Sequence, residues 1–124
     1  MQKILIIDDS SFSRNTIKKI LGNNYCFIEA NSGEMGLEVY AQEKPNLVIL
    51  DLTMPGMDGI EMLERLLLKD PDAKVIIGSA DIQDYNRQRT KELGALAFIN
   101  KPFDKDSFPH VIENALKGNS AGWQ

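Results

Sequence analysis

The 124-residue chain has one cysteine, one histidine and no excess of positive charge. A lone thiol, Cys26, excludes an internal disulfide and any zinc site built on several thiolates. With 14 Lys+Arg against 18 Asp+Glu, the net charge is −4. That balance argues against a broad electrostatic footprint for nucleic acid or an anionic membrane. No apolar run approaches the roughly 20 residues that span a bilayer, so membrane insertion is not expected. The start, Met1-Gln2-Lys3, leads straight into Ile4–Ile7, a run too short for a signal-peptide core and closed by carboxylates. What remains is a single soluble, cytoplasmic domain, long enough to bury about two thirds of its unfolded surface without a disulfide or metal.

Short apolar runs alternate with longer segments of helical period. The runs are Ile4–Ile7, Cys26–Ile28, Leu47–Leu50, Val75–Ile77 and Ala97–Ile99, mostly uninterrupted, as strands covered on both faces require. Between them Ile17, Ile20 and Leu21 share a helix face, as do Ile60, Leu63 and Leu67. The last segment is cleanest: Phe108, Val111, Ile112, Ala115 and Leu116 fall on one stripe. Leu37, Tyr40 and Ala41 make a weaker stripe, and Asp84–Leu93 a weaker one still. Gly22, Pro45, Pro71, Gly94 and Gly118 stand where helices should stop. The pattern predicts an α/β domain over residues 1–118, a five-stranded parallel sheet with five helices on two faces, and a tail or linker start over 119–124. Pro109 is tolerable only in the first turn of a helix, which sets the start of the last one near Asp106. Cys26 reads as a small core hydrophobe.

In an open parallel sheet, ligands bind beyond the carboxyl ends of the strands. The first run ends in Asp8-Asp9, the second in Glu29, the third in Asp51, the fourth in Ser79 and the fifth in Asn100-Lys101-Pro102. Taken singly these are ordinary turn, cap or solvated residues. Together, three carboxylates on one rim repel each other and resist full ionisation unless a cation joins them. Oxygen ligands without His or further thiols suit Mg²⁺ or Mn²⁺ better than zinc. A metal beside a carboxylate, a hydroxyl and a lysine is equipment for phosphoryl transfer, with a carboxylate able to form an aspartyl phosphate. In the segment Asp51-Leu-Thr-Met-Pro-Gly-Met-Asp-Gly59, Pro55 fixes φ, and Gly56 and Gly59 permit positive φ. That sharp turn can offer a backbone carbonyl, for instance that of Thr53, to the metal.

The Asp8-Asp9 pair, Asp51 with Met54-Pro55-Gly56-Met57-Asp58-Gly59, Ser79-Ala80 and Lys101-Pro102-Phe103 together resemble the receiver domain of two-component response regulators, over about residues 2 to 117. The resemblance implies the flavodoxin-like strand order 2-1-3-4-5. It implies that Asp51 accepts a phosphoryl group from a histidine kinase or phosphotransfer protein, and that Asp8, Asp9, Asp51 and the Thr53 carbonyl hold Mg²⁺. Lys101, Ser79 and the Ala80 backbone would meet the phosphoryl group, with a cis Lys101-Pro102 bond. Ser79 and Phe98 fill the hydroxyl and aromatic switch positions. The fourth helix, fifth strand and fifth helix would then change their protein partners, with no direct nucleic-acid contact by this chain. Phe98 lacks a phenolic hydroxyl, so a switch there works by packing. Thr53 and Asp81 occupy positions that tune phosphoryl lifetime.

Other classes fit less well. A small aspartate-nucleophile phosphatase of the haloacid-dehalogenase type has a second Asp where this chain has Thr53. An FMN carrier would meet repulsion from Asp8-Asp9. A pseudo-receiver would not need the intact acceptor, acid pair, hydroxyl and lysine. His110 reads as a solvated or half-buried helix residue. Arg87, Arg89 and Lys91 read either as a solvated face or as a docking surface for an acidic partner.

Overall fold

A computed structural model of the chain describes residues 1–54, 56–80 and 84–120, with the Asp84 side chain left aside. Pro55 and Asp81, singled out above, and residues 121–124 of the tail lie outside the described residues. In order, the elements are β1 (Lys3–Ile7), α1 (Ser11–Leu21), β2 (Cys26–Ala30), α2 (Gly33–Glu43), β3 (Leu47–Leu50), α3 (Gly59–Lys69), β4 (Val75–Ser79), α4 (Asp84–Leu93), β5 (Ala97–Asn100) and α5 (Phe108–Leu116). The strands are all parallel, in the order β2-β1-β3-β4-β5. This is the doubly wound sheet that the alternating pattern predicts.

Successive strand residues point to opposite faces, so the apolar runs feed two cores. Leu5, Ile7, Val48, Leu50, Val75 and Ile77 pack with Met62, Leu63 and Leu66 of α3 on one face, where α2 also lies. Ile4, Ile6, Leu47, Ile49 and Ile76 pack with Ile17 and Leu21 of α1 and Phe108 and Ile112 of α5 on the other. Each fully buried aliphatic side chain contributes about 1.5–3 kcal/mol. Among the described residues, side-chain caps start three helices: Ser10, Ser32 and Asp58 accept from the amides of Ser13, Met35 and Glu61. Gly22 (φ 74°) ends α1 and Gly94 (φ 113°) follows α4, where a left-handed turn favours glycine.

One expectation is refined and another corrected. α5 runs from Phe108, two residues past Asp106, and Asp104 holds the turn before it. Its carboxylate accepts from the Asp106 amide at 3.0 Å and the Ser107 hydroxyl at 3.1 Å, and its carbonyl accepts from the Phe108 amide. Pro109 still falls in the first turn. Cys26 is exposed, because it opens β2 at the edge of the sheet, where one flank has no neighbouring strand. No helix among the described residues is long and apolar enough to cross a membrane.

Candidate phosphoryl-transfer site

The carboxyl ends of β1, β3, β4 and β5 meet at one rim. Asp8 follows β1, and although it is 2% exposed it keeps two polar partners. Its Oδ1 accepts from the Ser10 amide at 2.9 Å, and its Oδ2 accepts from Lys101 Nζ at 2.7 Å. Asp51 is 6% exposed, and its amide donates to the Ile7 carbonyl at 3.0 Å, which fixes it level with the end of β1. Carboxylate oxygens of Asp8, Asp9 and Asp51 all lie within 4.8 Å of one another. Lys101 Nζ reaches Asp51 Oδ2 at 3.7 Å and the Ser13 hydroxyl at 3.3 Å. Ser79, fully buried at the end of β4, presents a hydroxyl that favours the charged Asp51 carboxylate.

Burial pushes the Asp51 carboxyl above its ordinary value; the Lys101 ammonium opposes this and Asp8 adds to it. The Thr53 amide and the Ser79 hydroxyl favour the charged form. A metal-free site of this kind holds a carboxylate in a place that disfavours its charge. A hard cation among the three acids would relieve both the burial and the mutual repulsion. The donor set, all oxygen and clustered, fits Mg²⁺.

Lys101 is delivered by the segment after β5. The Lys101 amide donates to the Ser79 carbonyl at 3.0 Å, the Lys101-Pro102 bond is cis, and Phe103 stacks on Phe108 with ring centroids 4.5 Å apart. Gly78 leaves room for that ring, since a Cβ there would lie 2.8 Å from it. A groove of about 350 Å³ runs beside Lys101 between Phe12, Thr16, Ala80 and Phe103. Phe12, on its wall, is 80% exposed.

Thr53 is exposed, and its amide donates to Asp51 Oδ1 at 3.3 Å. Phe98 lies away from the acid cluster, 3% exposed in the α3 core, with the Arg87 guanidinium 5.4 Å from its ring centroid. Arg89 pairs with Glu64 of α3 at 2.8 Å, so Arg87 and Arg89 of α4 both have partners within the domain. His110 is exposed on α5.

Two residues that support the site escape the sequence pattern, and a third, Gly59, acts differently from the reading of its motif. Arg14 donates to the Asp8 carbonyl and, at 2.8 Å, to Glu29. Glu34 accepts from the Met57 amide at 3.2 Å, tying α2 to the loop after Asp51. Gly59 matters through close approach: a Cβ there would stand 2.5 Å from the Leu52 Cα and 2.6 Å from the Asp51 carbonyl oxygen. Positive φ in that loop belongs to Gly56, at 82°. Only Glu29, as a strand end, gave any sign of the first contact.

Fold and site together define a flavodoxin-like α/β domain with a cluster of three acids that could hold a cation, a lysine and a hydroxyl at its strand ends. Comparison with known proteins narrows this class. Residues 4–113 match the response regulator receiver domain family. The chain is 41% identical over 119 residues to the chemotaxis protein CheY of Listeria monocytogenes, covering 94% of this chain and all of that one. It is 38% identical over 116 residues to the sporulation initiation phosphotransferase F of Bacillus subtilis, covering 93% and 94%. A CheY-like response regulator receiver domain protein from Methanospirillum hungatei superposes with a TM-score of 0.89 at 28% identity, with 95% of each chain covered. The chain belongs to the response regulator receiver domain family, and is thus a signalling domain of two-component systems.

Proposed function

We propose that the chain is a phosphorylation-driven switch in which Asp51 takes a phosphoryl group from a phosphohistidine of a histidine kinase or phosphotransfer protein. The supporting observation is the convergence on Asp51 of Asp8, Asp9, Lys101 and the buried Ser79 hydroxyl. An Asp51 carboxylate oxygen attacks phosphorus; one P–O bond forms as the P–N bond breaks, and the imidazole leaves with the electron pair. Asp8, Asp9, Asp51 and the Thr53 carbonyl would hold Mg²⁺, or Mn²⁺, and the ion would offset charge on the transferring oxygens. Lys101 turns from Asp8 toward a phosphoryl oxygen, and Ser79 and the Ala80 amide meet the others. The donor covers the site from the side of Phe12 and its groove, where the surface is apolar.

The added group carries up to about two negative charges and three acceptor oxygens. Drawing the Ser79 hydroxyl toward them biases the end of β4 and, through it, α4. Phe98 is already packed inward, so the change passes to the α4, β5 and α5 surface through packing of α4 on that ring. A downstream protein reads that surface. Ser79→Ala should keep phosphorylation and weaken the partner's preference for the phosphorylated form; an unchanged preference removes Ser79 from the switch. The primary test is intact mass after exposure to an acyl phosphate, with and without Mg²⁺, beside Asp51→Asn. One Mg²⁺-dependent phosphoryl addition, lost in the variant, is expected. No addition to folded protein by either an acyl phosphate or a phosphohistidine donor refutes the reading.

A further inference from the structure

Asp8 and Asp9 differ in how they are restrained. The Asp8 carboxylate is buried between the Ser10 amide and the Lys101 ammonium. Asp9 is exposed, and among the described residues its carboxylate has no hydrogen bond or ion pair. Its direction therefore depends on the backbone, and first on the peptide that joins it to Asp8. That peptide's carbonyl accepts from Arg14 Nη1. Arg14 in turn donates through Nε to Glu29 Oε1 at 2.8 Å, and Lys18 holds the other Glu29 oxygen at 3.0 Å. One peptide earlier, the Asp8 amide donates to the Ala30 carbonyl at 3.1 Å, the residue after Glu29 on β2.

We propose that Arg14, oriented by Glu29, is a positioning residue: it fixes the plane of the Asp8–Asp9 peptide and so aims the Asp9 carboxylate at the divalent cation. The inference rests on the metal reading proposed above. A planar guanidinium suits the task because one nitrogen can hold the carboxylate while another holds the carbonyl. The sign of the effect separates this role from a Coulombic one. Arg14 is a positive charge beside a cation site, so as a mere neighbour it repels Mg²⁺. As a positioning group it favours Mg²⁺ binding.

The test is calorimetric titration of the full chain and its variants with Mg²⁺, at a temperature where melting curves show each to be folded. It is paired with the Asp9 amide resonance in metal-free protein. Arg14→Gln is expected to weaken Mg²⁺ binding about tenfold, at the low end of what removing an orienting partner of a metal ligand costs. Arg14→Lys should weaken it nearly as much despite its charge, and both should move the Asp9 amide resonance. Glu29→Gln, the milder change, should give a smaller loss in the same direction and serves if an Arg14 variant does not fold. Tighter binding in Arg14→Gln, or wild-type affinity in Arg14→Lys, overturns the inference. So does a lower melting temperature with unaltered Mg²⁺ affinity. No Mg²⁺ binding by the wild type would refute the metal reading and this inference with it. Wild-type binding with unaffected variants refutes the inference alone.

Discussion

Replacing Gly59 with alanine puts a methyl carbon where the backbone at the end of β3 already stands. The new Cβ would lie 2.5 Å from the Leu52 Cα and 2.6 Å from the Asp51 carbonyl oxygen. Nonbonded carbon atoms settle about 3.5–4.0 Å apart, so α3 or the strand end must retreat by about 1 Å. Neither obstacle is a rotatable side-chain tip, which sets the cost near the top of the ~1–3 kcal/mol range for overpacking. Alanine returns at most about 1 kcal/mol in helix propensity, leaving a net loss of about 2 kcal/mol. With an unfolding entropy of about 2.1 cal/mol/K per residue, that loss lowers the Tm of a chain this size by about 8 °C. A retreat of the strand end would also carry the Asp51 backbone away from Asp8 and Lys101, and an acceptor misplaced by about 1 Å can lose on the order of 100-fold in rate. Melting curves and the rate of phosphoryl uptake from an acyl phosphate read the two effects. Gly36→Ala is the contrast, because the atom it meets first is the terminal Cδ1 of Ile7, at 2.6 Å, and it sits inside a helix. A Gly59→Ala protein as stable and as quickly phosphorylated as wild type would show the close approach to be unimportant.

Three further outcomes follow from the charges. Burial raises the Asp51 carboxyl, so the folded, metal-free protein holds a proton there more readily than the unfolded chain does. Its ionisation therefore costs stability above the folded pKa, a cost that fades as pH falls toward the ordinary 3.8. Asp51→Asn should accordingly raise the metal-free Tm near pH 7, and a lower Tm there would sink the argument. Glu29 has the opposite sign. The Lys18 hydrogen bond and, against some desolvation, the Arg14 bond hold its carboxyl below the ordinary 4.5. Its contribution is present above that pH and is lost as pH falls through the lower folded pKa. Glu29→Gln should thus lower Tm at neutral pH and flatten the acid limb of the stability curve, and parallel curves for the two proteins would refute this. Lys101→Ala strands the buried Asp8 carboxylate, and chemical denaturation without divalent ions should register a loss of about 3 kcal/mol, the low end for a pair whose lysine keeps some exposure. Added Mg²⁺ should restore part of it, so a loss indifferent to Mg²⁺ would place the damage elsewhere.

The sequence carried the fold far because the strands are short, unbroken apolar runs and the helices carry their own caps and stops. Ser10, Ser32 and Asp58 begin helices by chemistry local to a few residues, and Gly22 and Gly94 mark helix ends in the same way. The main site was legible for a related reason: a strand end is a position in sequence as well as in space. Asp8, Asp51, Ser79 and Lys101 each follow an apolar run, and a parallel sheet brings such ends together.

What only the tertiary structure decided is which groups touch across long sequence separations. Arg14 on the Asp8 carbonyl, Glu34 on the Met57 amide and Gly59 against the Asp51 backbone depend on how α1, α2 and α3 lie on the sheet. No local propensity encodes such contacts. Cys26 was misjudged for the same reason, since a residue type does not say whether its strand is central or at an edge. The turn that the Asp104 carboxylate holds before α5 is likewise one that helical periodicity does not register. Even the direction of the Asp51 carboxyl's shift depends on packing: burial opposes its charge, and Lys101, 50 residues away in the chain, favours it. Sequence thus determined the elements and the rim on which the acids stand, because both follow from local pattern and strand order. Packing decided how closely the acids approach, what restrains them and how readily each is charged, because those depend on distances that only the folded chain sets.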